Sequence, residues 1–122
     1  MATIELNDGN FRKTLDENSI VLVDFWAPWC GPCRIFGPVF EAVSEKFPDV
    51  VFGKVNTEVE QKLAAYFQIR SIPTLIAIRD KMVVDMVSGA LPADQLERAV
   101  VQLKNMDMDE FLKQVEAEGD KD

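Results

Sequence analysis

The sequence contains no histidine. That excludes every mechanism in which an imidazole of this chain activates a serine or a cysteine. There are only two cysteines, too few for a disulfide scaffold. Basic residues are scarce: 13 Lys and Arg face 21 Asp and Glu, a net charge of −8. A phosphate-binding face needs clustered cations, so nucleic acid and anionic membranes are not expected partners. No apolar run approaches the length that spans a bilayer. The opening residues, Met1-Ala2-Thr3-Ile4-Glu5, lack a basic region, a long apolar region and a small-residue cleavage site, so no secretory signal is expected. Glycine and proline are also few, six each, while 48% of the residues are apolar. That excludes a disordered chain and predicts a globular one. The 122 residues suffice for one core. The simplest expectation is a cytoplasmic protein whose two cysteines do chemistry.

Those cysteines stand in Trp29-Cys30-Gly31-Pro32-Cys33. The apolar, β-branched run Ile20–Trp26 precedes them and the amphipathic segment from Arg34 to Phe47 follows. A strand that leads into a helix with Cys-x-x-Cys at the junction reads as a thiol–disulfide redox site. Cys30 faces the unpaired amides and the positive end of the helix dipole, which favour its thiolate. It is assigned the attack on a disulfide. Cys33, one turn on, is assigned resolution of the mixed disulfide. Pro32 stiffens the loop between them. A zinc site draws four ligands from Cys and His, so a metal here would need a second chain, and none is expected. An inert structural disulfide would close too short a loop to stabilise much.

The rest of the chain alternates strands and helices. Thr3 to Leu6 reads as an edge strand, and Asn7 or Asp8 can cap a helix that runs to about Asn18. Ile20–Trp26 has the composition of a central strand covered on both sides. The next helix is predicted over Cys33 to Phe47, kinked at Pro38. Val50 to Val55 is a second central strand. A helix capped by Asn56 or Thr57 is predicted through Phe67, with Val59, Leu63 and Phe67 inward. Thr74 to Ile78 and Met82 to Val87 are too close for a crossover and predict an antiparallel hairpin. Pro92 to about Met106 is the last main helix, with Leu96, Val100 and Leu103 inward. The order predicts an α/β fold, a central mixed sheet with helices on both faces. Residues 1–106 form the domain; 107–122 form an acidic extension. From Asn105 onward there are seven acids and two lysines. A short helix from about Asp109 to Ala117 with a frayed end is predicted there.

Two further residues draw attention. Asp24 sits mid-strand among apolar neighbours. It is either an acid on an exposed face or a buried proton acceptor beneath the disulfide, its pKa raised by desolvation, that serves Cys33. Lys54, central in the next strand, is its partner or a surface lysine. Pro73, in Ile72-Pro73-Thr74, is ordinarily a strand-boundary marker, and a cis bond there is the minority outcome.

Taken together these pieces resemble the thioredoxin family. The resemblance covers about Ile4 to Leu103 and rests on Phe25-Trp26-Ala27-Pro28-Trp29-Cys30-Gly31-Pro32-Cys33-Arg34, Pro38, Lys54-Val55-Asn56, Ile69-Arg70-Ser71-Ile72-Pro73-Thr74 and Ser88-Gly89-Ala90-Leu91. It implies the thioredoxin fold and reduction of protein disulfides. It implies no bound cofactor, with NADPH used indirectly through a thioredoxin reductase as partner; nothing in the sequence demands more than a monomer. Asp24 becomes the buried proton-transfer carboxylate with Lys54 beside it. Pro73 becomes cis and packed on the disulfide. Trp29, Ile72, Thr74, Gly89 and Ala90, with Gly31 and Pro32, border a groove for client backbone. Trp26 and Pro38 support the active-site loop. The Gly-Pro between the cysteines is similar to the reducing members, not to oxidants and isomerases that carry a His there. Three departures stand out: Gln68 where Gly is common, the glycine-free hairpin Arg79-Asp80-Lys81, and the acidic extension. The competing readings are an oxidant or isomerase, and a binding module in which redox turnover is incidental.

Overall fold

The computed structural model describes residues 2–119. The apolar and β-branched runs form five strands: β1 (Thr3–Glu5), β2 (Ile20–Trp26), β3 (Val51–Asn56), β4 (Thr74–Arg79) and β5 (Met82–Ser88). Between and after them lie α1 (Phe11–Glu17), α2 (Gly31–Ser44), α3 (Gln61–Tyr66), α4 (Ala93–Lys104) and α5 (Met108–Gly119). The strands form one sheet in the order β1-β3-β2-β4-β5. β1, β3 and β2 run parallel, β4 runs antiparallel to β2, and β5 pairs antiparallel with β4. The expected mixed sheet and the hairpin are both present.

Strand alternation sends successive side chains to opposite faces. Val21, Val23 and Phe25 point to one side, where they meet Phe11, Leu63, Ile76 and Ile78, with Phe67 packed alongside. Leu22 and Phe52 point to the other and meet Phe36, Phe40 and Val43 of α2 and Leu96, Val100 and Leu103 of α4. β3 can lie close to the residues after β1 because Gly53 has no side chain. A Cβ there would come within 2.2 Å of Leu6 Cδ1.

Three helix starts differ from expectation. α1 begins at Phe11, because Asn7 Oδ1 accepts the N–H groups of Gly9 and Asn10 at 2.8 and 3.0 Å and closes a turn first. α2 begins at Gly31, two residues early, with Pro32 in its first turn where a missing N–H costs nothing. α3 begins at Gln61. Asn56 Oδ1 accepts from Glu58 N–H at 3.0 Å, so residues 57–60 form a turn, and Val59 is 72% exposed instead of inward. α2 also ends sooner, at Ser44, and Phe47 lies in the following turn. The hairpin manages without glycine: Asp80 and Lys81 both take positive φ, 51° and 70°, as a two-residue turn of the mirror-image type requires. Gln68 likewise has φ 54°.

The extension is helical from Met108 to Gly119, slightly longer than expected. Asp107 Oδ1 caps it by accepting Glu110 N–H at 3.1 Å. Arg79 Nη1 donates to the carbonyls of Leu103 at 2.6 Å and Met106 at 3.2 Å, tying the sheet to the connector before α5. Of the expected frayed end at 119–122, Gly119 is the last residue of α5, and 120–122 lie outside the described residues.

Candidate active site

Strand direction gathers the site at one end of the sheet. β2 and β3 end there, β4 begins there and β5 ends there. Their loops follow the strand order, so residues 57–60 lie on one side of the β2 loop and residues 71–73 and 89–92 on the other.

Cys30 is the N-cap of α2 and Cys33 lies in its first turn. The two form a disulfide with Cα atoms 5.2 Å apart, inside the usual range. The Cys33 N–H donates to Cys30 Sγ at 3.2 Å, so a helix-terminal amide points at that sulfur. Both cysteines are buried, at 4% and 5% exposure for Cys30 and Cys33. Trp26 and Ile72 pack against them and Ala27. The Ile72–Pro73 bond is cis, and the Ile72 carbonyl oxygen lies 3.6 Å from Cys30 Sγ. Gly31 and Pro32 are exposed at the helix tip. Arg34 donates through Nε and Nη2 to the Pro28 carbonyl at 3.3 and 3.1 Å, fixing the loop before the cysteines.

Asp24 is 1% exposed, which removes the exposed-face alternative. Alternation puts it on the Leu22 side, beneath α2. Neither carboxyl oxygen has a hydrogen-bond partner. Burial pushes its pKa up from 3.8 and the nearby Lys54 ammonium opposes the rise, leaving it at about 7. Lys54 is the register partner of Asp24 on β3. Its Nζ lies 4.9 Å from the centre of the Trp26 ring, a cation–π contact. It also passes under α2, where a Cβ on Gly37 would be 3.7 Å from it. Lys54 is therefore not a free surface lysine. Pro38 stands inside α2, exposed, with no N–H to give to the turn before it.

Of the residues expected to border the groove, Trp29 is 65% exposed, Ile72 is half-buried, and Gly89 and Ala90 are exposed. Gly89 has φ 99°, a conformation that favours glycine, and its N–H donates to the Pro73 carbonyl at 2.9 Å. Thr74 differs from the others. It is 2% exposed and its hydroxyl donates to the Ser71 carbonyl at 2.6 Å, so its side chain braces the loop and does not face a client. Glu58 was not singled out from sequence, yet its carboxylate accepts the Trp29 indole N–H. Twenty-nine residues separate the two, and no local pattern announces the contact. No group of three or more Cys, Asp or Glu residues gathers as a metal site among the described residues.

A family model described as Thioredoxin matches residues 2–102. The chain is 49% identical over 114 residues to putative thioredoxin 2 of Streptomyces coelicolor, covering 93% of this chain and 85% of that protein. It is 46% identical to thioredoxin 1 of Synechococcus elongatus, covering 75% and 87%. The crystal structure of the reduced thioredoxin pre-protein of Schistosoma mansoni superimposes with a TM-score of 0.76 at 36% identity, covering 84% of this chain and 99% of that one.

Proposed function

The chain belongs to the thioredoxin family and is a protein disulfide reductase, and we propose how its residues divide that work. Cys30, as thiolate, attacks a client disulfide. The client S–S bond breaks, one client thiol leaves and a mixed disulfide forms. Cys33 then attacks Cys30 Sγ, the second client thiol leaves, and the Cys30–Cys33 disulfide closes. Two electrons pass from this chain to the client. Cys33 is buried, so its thiol needs an internal base to ionise. Asp24 is that base, with Lys54 limiting how far burial raises its pKa.

Trp29, Ile72, Gly89 and Ala90 receive client backbone beside Cys30, with Gly31 and Pro32 at the rim and cis-Pro73 and Thr74 behind. Trp26 and Pro38 hold the site from below and within α2. Thioredoxin reductase recycles the disulfide with electrons from NADPH, as it does for the family. The protein acts as a monomer in the cytoplasm. Residues 1–106 are the catalytic domain and 107–122 an appended acidic extension, a division supported by the Asn105–Asp107 break between α4 and α5.

The observation that carries this reading is the disulfide at the start of α2, with the Cys33 amide aimed at Cys30 Sγ. The test is the reduction potential of the pair, by equilibration against dithiothreitol or glutathione. A value near the reference for thioredoxin, about −270 mV, fits a reductant. A value near −180 or −120 mV, as for isomerases and strong oxidants, would assign the protein to an oxidising compartment.

A further inference from the structure

Trp29 leaves most of a large apolar ring in water, and its one polar atom is tethered. The tether is Glu58, and the backbone of Glu58 is itself fixed. Its N–H donates to Asn56 Oδ1 at 3.0 Å, and its carbonyl accepts from Gln61 Nε2 at 3.2 Å. The preceding Thr57 is tied across to β2: its N–H and its hydroxyl both donate to the Trp26 carbonyl, at 2.9 and 3.1 Å. The turn after β3 is thus bolted to the end of β2, three residues before Trp29. A carboxylate delivered by so constrained a turn is preorganised. Its partner is a ring with two rotatable bonds that otherwise has several staggered orientations in water.

We propose that Glu58 is a positioning and specificity-determining residue: its carboxylate holds the Trp29 indole in the orientation that receives a client, and its charge favours disulfides flanked by basic residues. The proposal rests on the reductase reading of the site. The loop order makes Trp29 and Glu58 one flank of the cysteines, with Ile72, Gly89 and Ala90 on the other. A client strand laid beside Cys30 therefore passes an anion on the Trp29 side. The guanidinium of Arg34 keeps its charge but is held against the Pro28 carbonyl, before the cysteines, and not beside Glu58. An indole hydrogen bond and a rim charge are separable contributions, because glutamine keeps an acceptor and loses the charge while alanine loses both.

The experiment compares the unaltered chain, Glu58→Gln and Glu58→Ala, each shown folded by circular dichroism. Each reduces two synthetic peptides that contain the same internal disulfide, flanked by lysines in one and glutamates in the other. The quantity read is kcat/KM for each, at low and high salt, with dithiothreitol as electron donor. The unaltered chain prefers the lysine peptide about three- to five-fold at low salt, the size expected of one exposed charge pair, and the preference shrinks at high salt. Glu58→Gln abolishes the preference by weakening the lysine peptide and improving the glutamate one. Glu58→Ala loses the preference too and slows both peptides relative to Glu58→Gln, mostly through KM. Equal preference in all three proteins would overturn the charge role. Indistinguishable Glu58→Gln and Glu58→Ala proteins would overturn the positioning role. Failure of the unaltered chain to reduce either peptide would instead strike the reductase reading.

Discussion

On one face of the sheet Val21, Val23, Phe25, Val55 and Ile76 are all fully buried and pack with Phe11 of α1 and Leu63 of α3. On the other, Leu22 and Phe52 share their rows with Asp24 and Lys54, beneath the helix that carries the cysteines. The same three strands supply both faces. A buried carboxyl without a hydrogen bond costs stability that a leucine in its place would not. On the proposed reading, the difference between the faces separates a part of the core that holds the fold from a part that moves a proton.

The largest effects should divide along that line. Phe25→Ala empties a fully buried ring from the apolar face and should cost about 3–5 kcal/mol in denaturant unfolding. The fraction still folded should exchange disulfides at the normal rate, because the cysteines sit over the other face. Cys30→Ser should do the opposite, with exchange abolished in a peptide-disulfide assay and the fold retained by circular dichroism. An exchange rate that falls per folded molecule in Phe25→Ala would break the comparison.

Asp24→Asn sharpens it further. The folded-state pKa of Asp24 is raised, to about 7 from 3.8, so the folded protein holds the proton more tightly than the unfolded chain. The stability associated with that proton is fully present below about pH 4 and is lost as the pH rises through 7. Relative to the unaltered oxidised protein, Asp24→Asn should gain as much as about 4 kcal/mol at pH 8–9 and little at pH 4. Its reduction of client disulfides should fall by about 100-fold or more where Asp24 acts as base. Urea unfolding at the two pH values and single-turnover kinetics read the two effects. A variant more stable at pH 4 than at pH 8 relative to the parent would reverse the sign and sink the reading.

Smaller effects test parts that belong to neither role. Deleting 107–122 removes half-buried Met108 and Phe111 and should lower the stability by about 1 kcal/mol, with exchange kinetics unchanged. An unaltered melting temperature would mean that α5 does not dock. Gln68→Gly relieves a left-handed residue and should raise the stability by about 0.5–1 kcal/mol, less if the glycine loosens the unfolded chain by as much.

Much of this plan was legible in the residues themselves. Ile20–Trp26 is the strand with the bounds read from its composition, since a run buried on both faces is an unambiguous pattern. Asp24 stood out because it contradicted that pattern. The cysteines were legible from their spacing at a strand–helix junction, and the roles of Pro73 and Gly89 through the resemblance to thioredoxins. Helix starts were not, because Asn7 and Asn56 can cap either a helix or a turn, and in both cases the turn forms first. The burial of Thr74 and the contact between Trp29 and Glu58 depend on how distant loops meet at the end of the sheet, which no local spacing encodes.

The most direct test of the account is the titration of Asp24 in the oxidised protein, followed by the carbon-13 shift of its carboxyl carbon. A midpoint near 7 is predicted, moving higher when Lys54 is replaced by methionine. A midpoint near 4 would mean that Asp24 is solvated and too weak a base to take the proton of the Cys33 thiol.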